Sequence, residues 1–151
     1  MTTITPFLWF DDGAEEAIAL YTSLFPDARV IEENRNAEGK LFYATFEVAG
    51  QRIMALNGGP LFRFTEVISL FVSVKDQAEV DKYWDALIAN GGEESQCGWL
   101  KDRWGLSWQI VPEALMRYQA DPDREKANRV TQAMLKMRKI IVADLDAAAA
   151  G

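Results

Sequence analysis

The amino-acid sequence predicts an α+β fold: paired βαβββ modules forming a cupped, mixed but mostly antiparallel sheet, followed by a C-terminal helical extension. Two observations carry this expectation. The order strand, helix, strand, strand, strand can be followed twice along the chain. The second helix start, Asp76-Gln77-Ala78-Glu79, also repeats the Asp-x-Ala-Glu of Asp12-Gly13-Ala14-Glu15 64 positions later, which points to an internal duplication. At 151 residues, 49% hydrophobic and 26% charged, the chain suits a single globular domain. It divides into a first module over 1–62, a second over 63–112 and a helical tail over 113–151.

Ile4 to Phe10 is a strand-like run. Asp12 then stands at a helix cap, with Glu15 three residues on to reach back to it, the spacing of a capping box. Ala14, Ala17, Ile18, Tyr21, Leu24 and Phe25 make one apolar helical face that Pro26 stops. Strands are expected over 28–34, 41–48 and 51–57, with Ala49-Gly50 as a tight connection. The second module opens with a strand over 69–74. Its helix carries Val80, Tyr83, Trp84, Leu87 and Ile88 on one face and closes at Asn90-Gly91-Gly92. Strand material follows over 94–100 and 107–111. In the tail, Asp121-Pro122 has the form of an N-cap with proline at the first helical position. That helix runs to about Met137, and a last one spans 140–149. Its Met-bearing face suits core packing, a dimer contact or a lid.

The segment from Cys97 to Pro112 holds Trp99, Trp104 and Trp108, and tryptophan buries a large area and ties its indole N–H to a partner. Leu106, Trp108 and Ile110 alternate with Ser107, Gln109 and Val111, the period of a strand with one face in a core. The same alternation sets Pro6, Leu8 and Phe10, and Leu70, Val72 and Val74, toward the helices. It leaves Thr5, Phe7, Trp9, Tyr43, Thr45, Ala55, Asn57, Ser69, Phe71, Ser73, Ser107 and Gln109 on the opposite, concave faces. Aromatic walls with a few amides and hydroxyls suit a small organic ligand.

Composition narrows the function. A net charge of −7 disfavours nucleic-acid backbones, whose binding depends on Lys and Arg displacing counterions. Histidine is absent and Cys97 is the lone cysteine, which removes the commonest metal ligand, intrachain disulfides and any multi-cysteine zinc site. The start has no basic n-region, and no apolar stretch approaches the roughly 18 residues that span a bilayer. A reducing cytoplasm is the expected compartment, without a membrane partner.

Several single residues carry two readings. Trp9 and Trp99 either stack on a ligand or pack in a core or interface. Gln109 either orients a bound carbonyl or amide or satisfies its strand neighbours. Asp102-Arg103 has the form of a solvated turn corner, against an anion-binding or acid/base pair. Glu47 and Glu66 would serve as general bases only if buried, since desolvation raises a carboxylate. Gly58-Gly59-Pro60 lacks phosphate-loop spacing and suits a module junction.

The segment Gly98-Trp99-Leu100-Lys101-Asp102-Arg103-Trp104-Gly105-Leu106-Ser107-Trp108-Gln109-Ile110-Val111-Pro112, joined to the twofold element order, carries a family resemblance. Leu8-Trp9-Phe10, Ala14-Glu15-Glu16-Ala17, Asn57-Gly58-Gly59-Pro60, Asp76-Gln77-Ala78-Glu79-Val80-Asp81 and Ala133-Met134-Leu135-Lys136-Met137 add to it. The chain resembles the PhnB-like branch of the glyoxalase/bleomycin-resistance/dioxygenase superfamily, the vicinal oxygen chelate proteins. That branch is often labelled a 3-demethylubiquinone-9 3-methyltransferase domain. The resemblance implies four metal-ligand places, which fall near Thr5, Ala55, Ser69 and Gln109, where the superfamily's metal-using members carry His, Glu or Gln. Thr, Ala and Ser are poor ligands and one Gln cannot hold Zn²⁺ or Fe²⁺ against water, so a metal-free cup with no cofactor is expected.

The resulting expectation is a metal-independent, glyoxalase-like small-molecule-binding protein, a homodimer, with Phe7, Trp9, Tyr43, Asn57, Phe71, Trp99, Ser107 and Gln109 lining the site and no catalytic residue assigned. Alternatives are an enzyme of the same superfamily, of isomerase, lyase or dioxygenase type, and a protein-interaction module. Methyl transfer fits poorly, because a nucleoside methyl donor normally sits on a parallel α/β sheet with a Gly-rich first loop. The sequence leaves open whether the modules pair within one chain or across a dimer.

Overall fold

Apolar residues at the two periods sort into helices and strands much as expected in a computed structural model that describes residues 1–151. The chain divides into two compact units, Met1–Phe64 and Thr65–Gly151. The first contains β1 (Phe7–Phe10), α1 (Ala14–Leu24), β2 (Arg29–Arg35), β3 (Leu41–Val48) and β4 (Gln51–Asn57). The second contains β5 (Ser69–Val74), α2 (Gln77–Ile88), β6 (Glu93–Glu94), β7 (Trp99–Lys101), β8 (Ser107–Pro112), α3 (Glu113–Gln119), α4 (Arg124–Met134) and α5 (Val142–Ala150). Each unit forms one four-stranded sheet, ordered β1-β4-β3-β2 and β5-β8-β7-β6. In each, the first strand runs parallel to the last and the other two pairings are antiparallel. The two sheets therefore share one topology, and the fold is α+β.

Burial follows the strand period in both units. In the first, Leu8 and Phe10 pair with Ala55 and Asn57, Ala44 with Ala55, and Phe46 with Ile53. Apart from Asn57 these side chains are buried, together with Ala14, Ala17, Ile18 and Tyr21 of α1. In the second, Val80, Tyr83, Trp84 and Leu87 of α2 and Leu100, Trp108 and Ile110 of β7 and β8 are all buried.

The two helix starts differ despite their shared letters. Asp76 is the N-cap of α2 and accepts from Glu79 N at 3.0 Å, while Glu79 Oε2 accepts from Lys75 N. In α1 the N-cap is Gly13, so Asp12 lies one residue outside and Glu15 is one residue too early for a capping box. Asn57 Oδ1 takes the orphan Ala14 N–H at 2.9 Å instead, and Glu15 pairs with Arg35. Asp76→Ala is therefore expected to cost about 1 kcal/mol of stability, and Asp12→Ala less than about 0.5. Equal shifts of the urea midpoint for the two variants would contradict this.

Other boundaries moved for local reasons. The first strand begins at Phe7 rather than Ile4. The strand expected over 94–100 is split, because Cys97 and Gly98 adopt positive φ of 59° and 85°. Their N–H groups turn to the tail, donating to Met137 O and Arg138 O at 2.8 Å. The tail helix starts at Arg124, capped by Asp123 rather than Asp121, and α3 precedes it unforeseen. Val111, Leu115, Val130, Ile140 and Leu145 form a buried cluster, against which Met134 and Met137 pack. The methionine face is thus used inside the second unit.

Candidate functional site

Strand pairing places side chains abreast on the faces turned away from the helices. On the first sheet, Phe7 of β1 pairs with Met54, and Trp9 with Leu56; Tyr43 and Thr45 of β3 pair with Leu56 and Met54. Phe7 is 49% exposed, and Trp9, Tyr43, Met54 and Leu56 are partly exposed. The Trp9 indole is fixed by donating Nε1–H to Gly59 O at 2.9 Å and by an edge contact with Phe62, centroids 5.0 Å apart. Glu47 closes the same face between Arg29 (3.1 Å) and Arg52 (3.3 Å). The Arg29 hydrogen bond above all holds its carboxyl below the usual range.

Two residues expected on this face lie on the other. Ala55 and Asn57 pair with Leu8 and Phe10, so they point toward α1. Both ends of the Asn57 amide are engaged, Oδ1 by Ala14 N and Nδ2 by Leu41 O at 3.0 Å. Its side chain ties the helix start to the strands. The uninterrupted run Ile53-Met54-Ala55-Leu56 has no alternation to reveal the parity, which only the pairing with β1 sets.

On the second sheet, two rows cross the face turned from α2. One holds Ser69, Ser107 and Lys101; the next holds Phe71, Gln109 and Trp99. Gln109 Nε2 donates to Ser69 Oγ at 2.9 Å, the strand-neighbour contact that one of its two readings expects. Phe71 is 51% exposed, whereas Ser107 is 1% exposed and its Oγ has no hydrogen-bond partner. Lys101 pairs with Glu66, whose carboxyl this hydrogen bond lowers. Neither Glu47 nor Glu66 has the raised pKa of a general base near neutrality.

The β7–β8 corner also departs from expectation. Asp102 is only 2% exposed, not a solvated corner. Its Oδ1 accepts from Trp104 N and Leu106 N at 3.0 Å each, and its Oδ2 from Trp108 Nε1 at 2.9 Å. The carboxylate is the fastener of the hairpin. Arg103 lies with its guanidinium 4.9 Å from the Trp104 ring.

Of the expected site residues, Phe7, Trp9 and Tyr43 share one face of the first sheet, and Phe71, Trp99, Ser107 and Gln109 share one face of the second. Met54, Leu56 and Lys101 join them. The donor set does not fit a metal of the superfamily type. Ala55 offers no donor and faces the helix, Ser69 is engaged by Gln109, and no three His, Cys, Asp or Glu side chains are grouped to hold an ion.

A family model described as 3-demethylubiquinone-9 3-methyltransferase matches residues 2–111. The chain belongs to this family. A PhnB protein from Bacillus cereus is 32% identical, with 74% of this chain and 99% of that one covered at a TM-score of 0.68. A Pseudomonas aeruginosa protein shares the fold at 20% identity, covering 74% of this chain and 98% of its own, with a TM-score of 0.59. The fosfomycin resistance protein FosX of Listeria monocytogenes, solved with Mn(II) and sulfate, shares it at 19% identity, covering 72% and 89%, with a TM-score of 0.54. The comparison with curated proteins returned no match. No helix is long and apolar enough to cross a membrane.

Proposed function

We propose that this family member binds a small, partly aromatic or apolar molecule without a metal, on the sheet faces turned away from its helices. One observation carries the reading. An antiparallel sheet face that meets water ordinarily bears polar side chains, yet here Phe7, Trp9, Tyr43, Met54 and Leu56 occupy one such face, and Phe71 and Trp99 another. Exposed apolar surface of this kind marks a binding site. A second FosX structure was solved with Mn(II) and a dihydroxypropylphosphonic acid, which supports the fold as a host for small organic ligands. The metal half of that pairing is not carried over, since the donors here do not suit it.

Methyl transfer is not part of this reading. Both sheets are mixed and four-stranded, without the doubly wound parallel sheet on which a nucleoside methyl donor is normally cradled. A homodimer in a reducing cytoplasm completes the proposal, and light scattering of the full chain reads the first of these directly.

The test is a thermal-shift screen of small aromatic and aliphatic metabolites with and without EDTA, beside elemental analysis of untagged protein. A ligand held only by the folded state, at about 100 times its Kd, adds about 2.7 kcal/mol, or roughly 5–10 °C in a chain of this size. The expected result is such a shift, unchanged by EDTA, with far less than one transition metal per chain. A silent screen, or a shift that EDTA abolishes, overturns the proposal; the latter points to a metal-using enzyme.

A further inference from the structure

The second sheet gives the proposed small-molecule binding a chemical specification, one that stands only if that binding does. In the row Ser69–Ser107–Lys101, neighbouring strands set the side chains about 4.8 Å apart. All three can donate. Ser107 Oγ is buried and unpartnered. Ser69 Oγ accepts from Gln109, so its own proton remains to be given. Lys101 presents an ammonium whose anion is the carboxylate of Glu66, a mostly exposed side chain. Two residues along each strand, about 7 Å away, lies the row Phe71–Gln109–Trp99, and Phe71 is half exposed. The Val111 end of β8 is closed by the tail cluster. The face therefore grades from donors, through aromatic surface, to a covered apolar end.

We propose that this row receives the carboxylate of a small organic acid whose aromatic or apolar body lies on Phe71 and Trp99. Ser107 and Ser69 donate their hydroxyl protons to one carboxylate oxygen, and Lys101 faces the other. Glu66 holds the ammonium while the site is empty and gives it up to the ligand. An orphan buried hydroxyl is unfavourable unless something completes it, and an anionic acceptor does so while matching the adjacent cation. Gln109 is a positioning residue, since its amide fixes the Ser69 oxygen.

The experiment is an NMR titration of the ¹⁵N-labelled full chain with phenylacetate, indole-3-acetate and hexanoate, each beside its neutral amide. Each acid is expected to bind about tenfold or more tightly than its amide, from charge-assisted hydrogen bonds, with the largest shifts at residues 69, 101 and 107. Ser107→Ala is expected to weaken the acids several-fold and leave the amides alone, with a melting temperature equal to or above the parent. Lys101→Met should abolish the preference for acids. Glu66→Gln should strengthen it. Amides that bind as tightly as acids, acids that shift only the first unit, or a Ser107→Ala variant with unchanged acid affinity would each overturn the inference while leaving small-molecule binding intact. If neither acids nor amides perturb any residue and the metabolite screen is also silent, the parent reading falls with it.

Discussion

Asp102→Ala is expected to lower the unfolding free energy by about 3–5 kcal/mol, a melting temperature roughly 10 °C lower. The substitution removes one acceptor from three donors at once: the Trp104 and Leu106 amides and the Trp108 indole. Leu106 and Trp108 are buried, so water cannot stand in for the lost oxygens. Asp102→Asn should cost less, because one carbonyl oxygen still serves the two backbone donors while the amide nitrogen opposes the indole N–H. The urea midpoints should therefore fall in the order parent, Asn, Ala. An alanine variant as stable as the parent would show that the corner is held by the backbone turn alone. Domains are stable by only about 5–15 kcal/mol, so this one carboxylate decides much of the second unit's integrity.

Gly58→Ala should act on the first unit and on the face proposed for binding together. A Cβ built there lies 2.4 Å from the Trp9 indole, a separation no real contact reaches, so the ring must swing away. That movement breaks the indole bond to Gly59 O and the edge contact with Phe62. The expected cost is about 1–3 kcal/mol, as for overpacking. The near-UV circular dichroism should change, and any ligand stacked on Trp9 should bind about tenfold more weakly, the value of about 1.4 kcal/mol of contact. Trp9→Phe shrinks the ring, so adding Gly58→Ala to it should cost much less than in the parent. Additive effects of the two substitutions would mean that the glycine serves the backbone instead.

Much of the fold was legible because helix and strand periods were clean. β3, β4 and β5 begin and end where the alternation and turn residues place them, and the α2 face Val80, Tyr83, Trp84 and Leu87 is buried as its spacing requires. Legibility ended where tertiary partners decide. Asp12 and Asp76 carry the same local signal, but in the first unit Asn57, 43 residues beyond Ala14, supplies the cap. The parity of β4 could not be found in its central run Ile53-Met54-Ala55-Leu56, which is apolar throughout. Asp102 looked like a corner because adjacent opposite charges favour water, and nothing local disclosed three donors converging on it. The aromatic members of the candidate site came from the alternation; the donor row with Lys101 needed the β7–β8 register.

The family model's match ends at residue 111, and there the side chain of Val111 enters a cluster otherwise made of residues 115–145. The segment between α4 and α5 also fastens itself to α2, through Gln77, whose amide contacts Ile140 O and Val142 N, and through Lys139 beside Asp81 and Asp85. Trimming the polypeptide to its recognisable portion would strip the last strand of its roof and leave a sticky, uncapped stub. The Val111 end of the second sheet thus meets a wall furnished by residues that lie beyond the family model's match.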